Sequence, residues 1–158
     1  MRSLVALLVF FFSSVVIASP LKIHLADGST VETNMTSLLK EFPITRFETR
    51  LPWFPEQRSF AGIPVTQLLD KYGDENTFAV TFVALNDYAA TSTVKDIRNF
   101  YPILAVKMND EPIQVRHKGP YWLIFNLNKY PEIDNINYHS QMVWQIDEIT
   151  LHSKNNDE

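Results

Sequence analysis

The alternation of apolar and polar positions along the chain predicts about seven strands and two or three short helices, a β-rich α+β domain. Residues 21–25 alternate, Asp27-Gly28 is a hairpin turn, and residues 30–33 return as a second strand. Residues 36–42 predict a short helix stopped before Pro43. Asn34-Met35-Thr36 fits a glycosylation sequon, but Asn34 also suits the cap of that helix. Residues 44–51 alternate as a strand whose apolar-leaning face carries Phe47 and Leu51. Gly62 reads as a turn, and Pro64 suits the first turn of a helix. Val65, Leu68, Leu69 and Tyr72 recur at helical spacing, and Gly73 ends the run. Residues 78–85 predict a buried strand closed by Asn86-Asp87. Thr93 caps a helix over 94–100 with Asp96 in its first turn. Residues 103–108 form a strand, Asn109-Asp110 a turn, and Ile113, Val115 and His117 alternate as another strand. A buried strand over 121–127, a long polar loop over 128–140, a last strand over 141–151 and an acidic tail over 152–158 complete the pattern.

Four stretches within this pattern carry a resemblance. They are Phe60-Ala61-Gly62-Ile63-Pro64-Val65 with Leu68-Leu69, Gly73 and Asn86-Asp87-Tyr88; Leu104-Ala105 with Asn109-Asp110-Glu111-Pro112-Ile113; Gly119-Pro120-Tyr121-Trp122; and Trp144 with Ile149. In this order and spacing the chain resembles the oxidoreductase molybdopterin-binding domain, the core of the sulfite-oxidase fold, over roughly residues 45 to 151. The resemblance implies a mixed-sheet, barrel-like architecture. It also implies a molybdenum atom held by a pterin dithiolene and one protein Cys, on the strand before the Phe60 turn. The matching positions here are Thr49 and Arg50, neither of them a soft ligand.

Composition narrows the function. The chain of 158 residues is 46% hydrophobic and 13% aromatic, enough for one domain with its own core. It has no cysteine, so disulfides, thiolate metal sites and Cys nucleophiles are excluded. Residues 1–18 read as a signal peptide: Arg2 gives a positive start, an apolar run follows, and Ala18 offers the cleavage site. An uncleaved membrane anchor is the alternative for this run. Cleavage leaves 13 basic against 18 acidic residues, a charge of −5, and the domain over 19–151 in the periplasm or outside the cell. That balance argues against nucleic acid as a partner.

Candidate chemistry gathers in a few places. Arg116-His117-Lys118-Gly119 is the densest basic cluster and suits a phosphate or carboxylate; the alternative is a solvated hairpin end. If a strand persists through this stretch, Arg116 and His117 point to opposite sides. Asp87 and Tyr88 lie at a strand end, where Tyr88 could bond a ligand and Asp87 orient it, or both could simply close a loop. Arg50 joins the candidate anion contacts through its matched position. Trp53 and Phe54, between two prolines, form an aromatic loop that lines a pocket, meets a partner or packs as a lid. Trp122 and Trp144 read as core. His24, His117, His139 and His152 show no paired metal spacing, and no hydrolase or nucleotide motif stands out.

The expectation is therefore an exported, non-catalytic binder of a small anionic or pterin-like ligand through Arg116, Lys118, Gly119, Tyr88, Asp87 and Arg50. It would act with a membrane sensor or redox partner. No cofactor is expected, molybdopterin entering by resemblance alone. An authentic molybdopterin-dependent oxidoreductase and a ligand-free interaction module are the two other readings.

Overall fold

The computed structural model describes residues 20–154; the signal-peptide reading of 1–18 and most of the tail lie outside them. Two sheets carry the domain. The first has strand order β2-β1-β10-β5-β6, from β1 (Pro20–His24), β2 (Thr30–Asn34), β5 (Thr77–Ala84), β6 (Ala89–Thr93) and β10 (Ile146–Ser153). The second runs β3-β4-β7-β8, from β3 (Thr45–Thr49), β4 (Arg58–Pro64), β7 (Ile103–Met108) and β8 (Glu111–Pro112), with β9 (Trp122–Ile124) pairing β7. Neither sheet closes into a barrel among the described residues. Helices α1 (Met35–Glu41), α2 (Val65–Tyr72) and α3 (Val94–Phe100) are joined by one further turn, α4 (Ile136–His139). The architecture is α+β and β-rich, as the alternation predicts.

Local chemistry explains the elements that match. The Asn34 side chain accepts from Ser37 N–H at 3.0 Å and starts α1, and the Thr93 hydroxyl accepts from Asp96 N–H at 3.0 Å and starts α3. β1 and β2 pair antiparallel across the Asp27-Gly28 turn, but β1 also pairs parallel with β10, joining the two ends of the described chain.

Four elements depart from expectation. Gly62 lies inside β4 and is no turn residue. A Cβ there would stand 2.1 Å from the Leu104 carbonyl oxygen and 2.5 Å from Ala105 Cα, so the close approach of β4 to β7 requires glycine. The expected strand over 113–117 stops at Pro112, and Val115–His117 winds into a 3₁₀ turn. Arg116 and His117 are therefore not on opposite faces of a strand. The polar loop over 128–140 contains a second 3₁₀ turn, Pro131–Ile133, and α4, whose first turn is capped by Asn135 accepting from Asn137 N–H at 3.1 Å. The last strand begins only at Ile146 and takes in His152 and Ser153, which the composition had placed in the tail; His152 Nε2 meets Thr81 Oγ1 at 2.7 Å.

The core lies between the sheets and under the helices. Leu21, Ile23, Phe82 and Ile149 come from the first sheet, Phe60, Ile63, Leu104, Trp122 and Leu123 from the second, and Leu38, Leu69 and Ile97 from α1, α2 and α3. Each such side chain contributes about 1.5–3 kcal/mol through burial, an upper estimate because unfolded chains are partly collapsed.

Candidate functional site

An apolar cavity of about 440 Å³ opens between the end of β5, the loop after β3, α4 and the stretch before β10. Its walls come from four separate stretches: Pro52 and Trp53; Asn86 and Tyr88 after β5; His139 and Ser140 at the end of α4; and Met142 to Trp144. Its size falls within the range of small-molecule pockets.

Each wall is fixed by identifiable contacts. The stretch before β10 runs beside β9: Leu123 N–H donates to the Val143 carbonyl at 2.9 Å, Trp122 Nε1–H to the Met142 carbonyl at 3.1 Å, and Ile146 N–H to the Tyr121 carbonyl at 3.1 Å. Trp144 is thereby set against Trp122, with ring centroids 6.1 Å apart and perpendicular. Trp53 packs edge-on to Trp144 at 5.4 Å and against Trp122 at 5.7 Å. The Trp53 loop is thus a half-buried wall, and Trp144, expected in the core, is half-exposed and lines the cavity; Trp122 alone is fully buried. Tyr88 donates its hydroxyl to the Ser140 carbonyl at 2.6 Å and ties the β5–β6 turn to the end of α4. Tyr138 anchors α4 from below, its ring between Phe100 and Phe125 and its hydroxyl donating to Asp96 at 3.2 Å. Burial, followed by the neighbouring Asp96 charge, raises the Tyr138 pKa and keeps that donor protonated.

The basic turn meets this cavity through one residue. Lys118 lies at φ 78, and its ammonium sits 3.3 Å from the Trp144 ring centroid, 5.5 Å from that of Trp122 and 5.8 Å from that of Trp53. No carboxylate pairs with it among the described residues, and burial holds its pKa below the usual lysine value. Gly119 is buried, and its N–H and that of His117 both donate to the Gln114 carbonyl, at 2.9 and 2.8 Å, so neither is free for an anion. Gly119 is needed for packing, since a Cβ would lie 1.8 Å from the Ile113 oxygen. Arg116 is exposed and donates through Nε to the Gln114 side chain at 2.8 Å.

The remaining expected contacts are placed apart. Arg50 is exposed, its N–H donating to Asn128 at 3.1 Å. Asp87 is exposed in the β5–β6 turn at φ 65, its N–H donating to the Ala84 carbonyl. Of the six residues, Tyr88 lines the cavity and Lys118 backs its tryptophan wall.

Thr49, matched to the metal-binding Cys, is fully buried. Its hydroxyl donates to the Arg50 carbonyl at 3.3 Å and accepts from Asn128 N–H at 3.2 Å, so it ties β3 to the segment after β9. A hard oxygen engaged in both directions does not fit a molybdenum site that depends on a protein sulfur. No group of three His, Asp or Glu suited to a metal ion occurs among the described residues.

Sequence reasoning missed His139 and Arg58. His139 borders the cavity and bonds Asp134 at 2.7 Å. Arg58 places its guanidinium 4.9 Å from the Phe54 ring centroid and has a buried Nε without a hydrogen-bond partner among the described residues. Their roles depend on pairings between distant segments, for which the local pattern holds no signal.

No family profile matches the chain, and no curated protein matches it. Among solved structures it is similar to the sulfane dehydrogenase SoxCD from Paracoccus pantotrophus, with a TM-score of 0.62 at 13% identity. The match covers 88% of this chain but only 39% of that one, so the chain spans about two-fifths of its length. At that identity the likeness is one of fold: this α+β chain shares the architecture of a segment of SoxCD over nearly all its own length.

Proposed function

We propose that the protein is an exported, non-catalytic binder of a small planar ligand that carries a negative charge, a pterin-like molecule among them. The single observation that carries this reading is the half-buried ammonium of Lys118, without a carboxylate among the described residues, against the tryptophan wall of a 440 Å³ cavity. Trp53 and Trp144 supply flat apolar surface for a ring, and Lys118, behind that wall, supplies a positive field for its anionic group. Arg116, at the surface end of the same turn, attracts the anion toward the cavity. Thr49 favours binding over molybdenum-dependent oxidation, because its hydroxyl is committed to the backbone. Leu85, Tyr88 and Ile136, which are 53, 47 and 75% exposed, offer a partner protein an apolar surface beside the ligand. A membrane sensor or redox protein would meet it there.

The test is a tryptophan-fluorescence titration of the mature protein with pterin carboxylate, with molybdenum measured in the same sample. The expected result is saturable quenching at one site per chain without stoichiometric molybdenum. One molybdenum per chain would replace this reading with the oxidoreductase.

A further inference from the structure

We propose that His139, held by Asp134, is the acceptor through which the cavity selects a ring with an N–H on its edge; this rests on the cavity being the ligand site. The His139 side chain is only 18% exposed, and its ring packs edge-on against Trp53 at 6.3 Å. Nε2 lies 2.7 Å from an Asp134 carboxylate oxygen. An ionised carboxylate only accepts, so Nε2 carries the hydrogen. In the neutral imidazole Nδ1 is then a bare acceptor, and it has no hydrogen-bond partner among the described residues.

The hydroxyl and amide side chains on the wall each already make a hydrogen bond within the protein. The Ser140 hydroxyl donates to the Asn137 carbonyl at 2.9 Å. The Asn86 carbonyl oxygen accepts from Tyr88 N–H at 3.3 Å, and the Tyr88 hydroxyl donates to the Ser140 carbonyl. Pro52, Trp53 and Val143 offer a ligand no side-chain acceptor, and Met142 only a weak one in its thioether. A ring N–H entering this space finds in Nδ1 an acceptor that no protein donor competes for, and a buried donor left without a partner is costly. Asp134 therefore acts as a positioning residue that fixes the tautomer, as the partner of a ligating histidine does in other sites.

The alternative role is a staple, in which the Asp134–His139 contact merely holds the end of α4. A pair of ligands separates the two. Pterin carboxylate and naphthoate are both planar carboxylates, and only the pterin carries ring N–H groups. Wild type, His139→Phe and Asp134→Asn are titrated calorimetrically with each, and their melting temperatures are compared. His139→Phe keeps an aromatic ring against Trp53 and should weaken pterin carboxylate by about tenfold while leaving naphthoate within about twofold. Asp134→Asn leaves the imidazole in place and releases its tautomer, so it should lose about threefold for the pterin alone. That variant decides the matter if His139→Phe does not fold. Equal losses for both ligands, or unchanged pterin affinity in folded variants, overturn the assignment and leave the cavity reading intact. Binding of neither ligand by wild type overturns both.

Discussion

Lys118→Met separates a functional cation from a structural one. Methionine keeps an unbranched apolar stem against the tryptophans and removes only the ammonium. The fold loses a cation–π contact with Trp144 at 3.3 Å, worth about 0.5–2 kcal/mol. It also loses the burial penalty that lowers the Lys118 pKa, so the two effects oppose each other. Stability should change by less than about 1 kcal/mol, a few degrees of melting temperature for a domain of this size. Binding has no such compensation. The Lys118 charge acts on the ligand from behind the tryptophan wall, worth about 1–2 kcal/mol at that range, so affinity for pterin carboxylate should fall by about fivefold to thirtyfold. Calorimetric titration of both proteins at two salt concentrations reads the affinity, and a thermal melt reads the fold. The pH dependence has a definite sign. Lys118 is depressed below its reference value of 10.5, so the unfolded chain binds more protons between the folded value and 10.5. Wild type should therefore gain stability relative to Lys118→Met as pH rises through that window. Unchanged affinity in Lys118→Met, or loss of the fold, would refute the reasoning.

Three further perturbations test the fold and the site. Gly62→Val places a branched side chain where a Cβ already meets the Leu104 backbone at 2.1 Å; it should abolish cooperative unfolding or lower the denaturation midpoint sharply, as circular dichroism would show. Burial raises the Tyr121 pKa above its reference value of 10.0, so the folded state keeps a proton that the unfolded chain releases. Stability should fall as pH rises past about 10, and Tyr121→Phe should flatten that fall in denaturant titrations at successive pH values. Arg116→Ala should leave the melting temperature unchanged, because Arg116 is exposed and its side chain bonds only Gln114 among the described residues, and should slow ligand association at low salt while changing affinity less than Lys118→Met does, as stopped-flow fluorescence would resolve.

What was legible in the sequence was local. The Asn34 and Thr93 caps, the Asp27-Gly28 hairpin and the amphipathic α2 each depend on residues a few positions apart. What was not legible depends on contacts across the chain. The alternation at Ile113, Val115 and His117 looked like a strand, but the Gln114 carbonyl draws both His117 and Gly119 N–H groups into a turn. Gly62 looked like a turn because its neighbour in space, Leu104, lies far along the sequence. The sequence places Arg116 and Lys118 in one contiguous cluster; the fold instead sends Lys118 inward and leaves Arg116 outside. His139 stands in the sequence only as a histidine without paired metal spacing, because its place at the cavity comes from meeting Trp53, 86 residues earlier.

The three tryptophans give the most direct measurement of the central claim, since each contributes one indole N–H resonance to a ¹⁵N correlation spectrum. Trp53 and Trp144 line the cavity, whereas Trp122 is fully buried and donates its Nε1–H to Met142. On titration with pterin carboxylate, the Trp53 and Trp144 resonances should move saturably with a common affinity, and Trp122 should move least. If all three stay fixed while backbone resonances of the exposed Arg116 turn shift, the ligand binds at the surface and the cavity account is wrong.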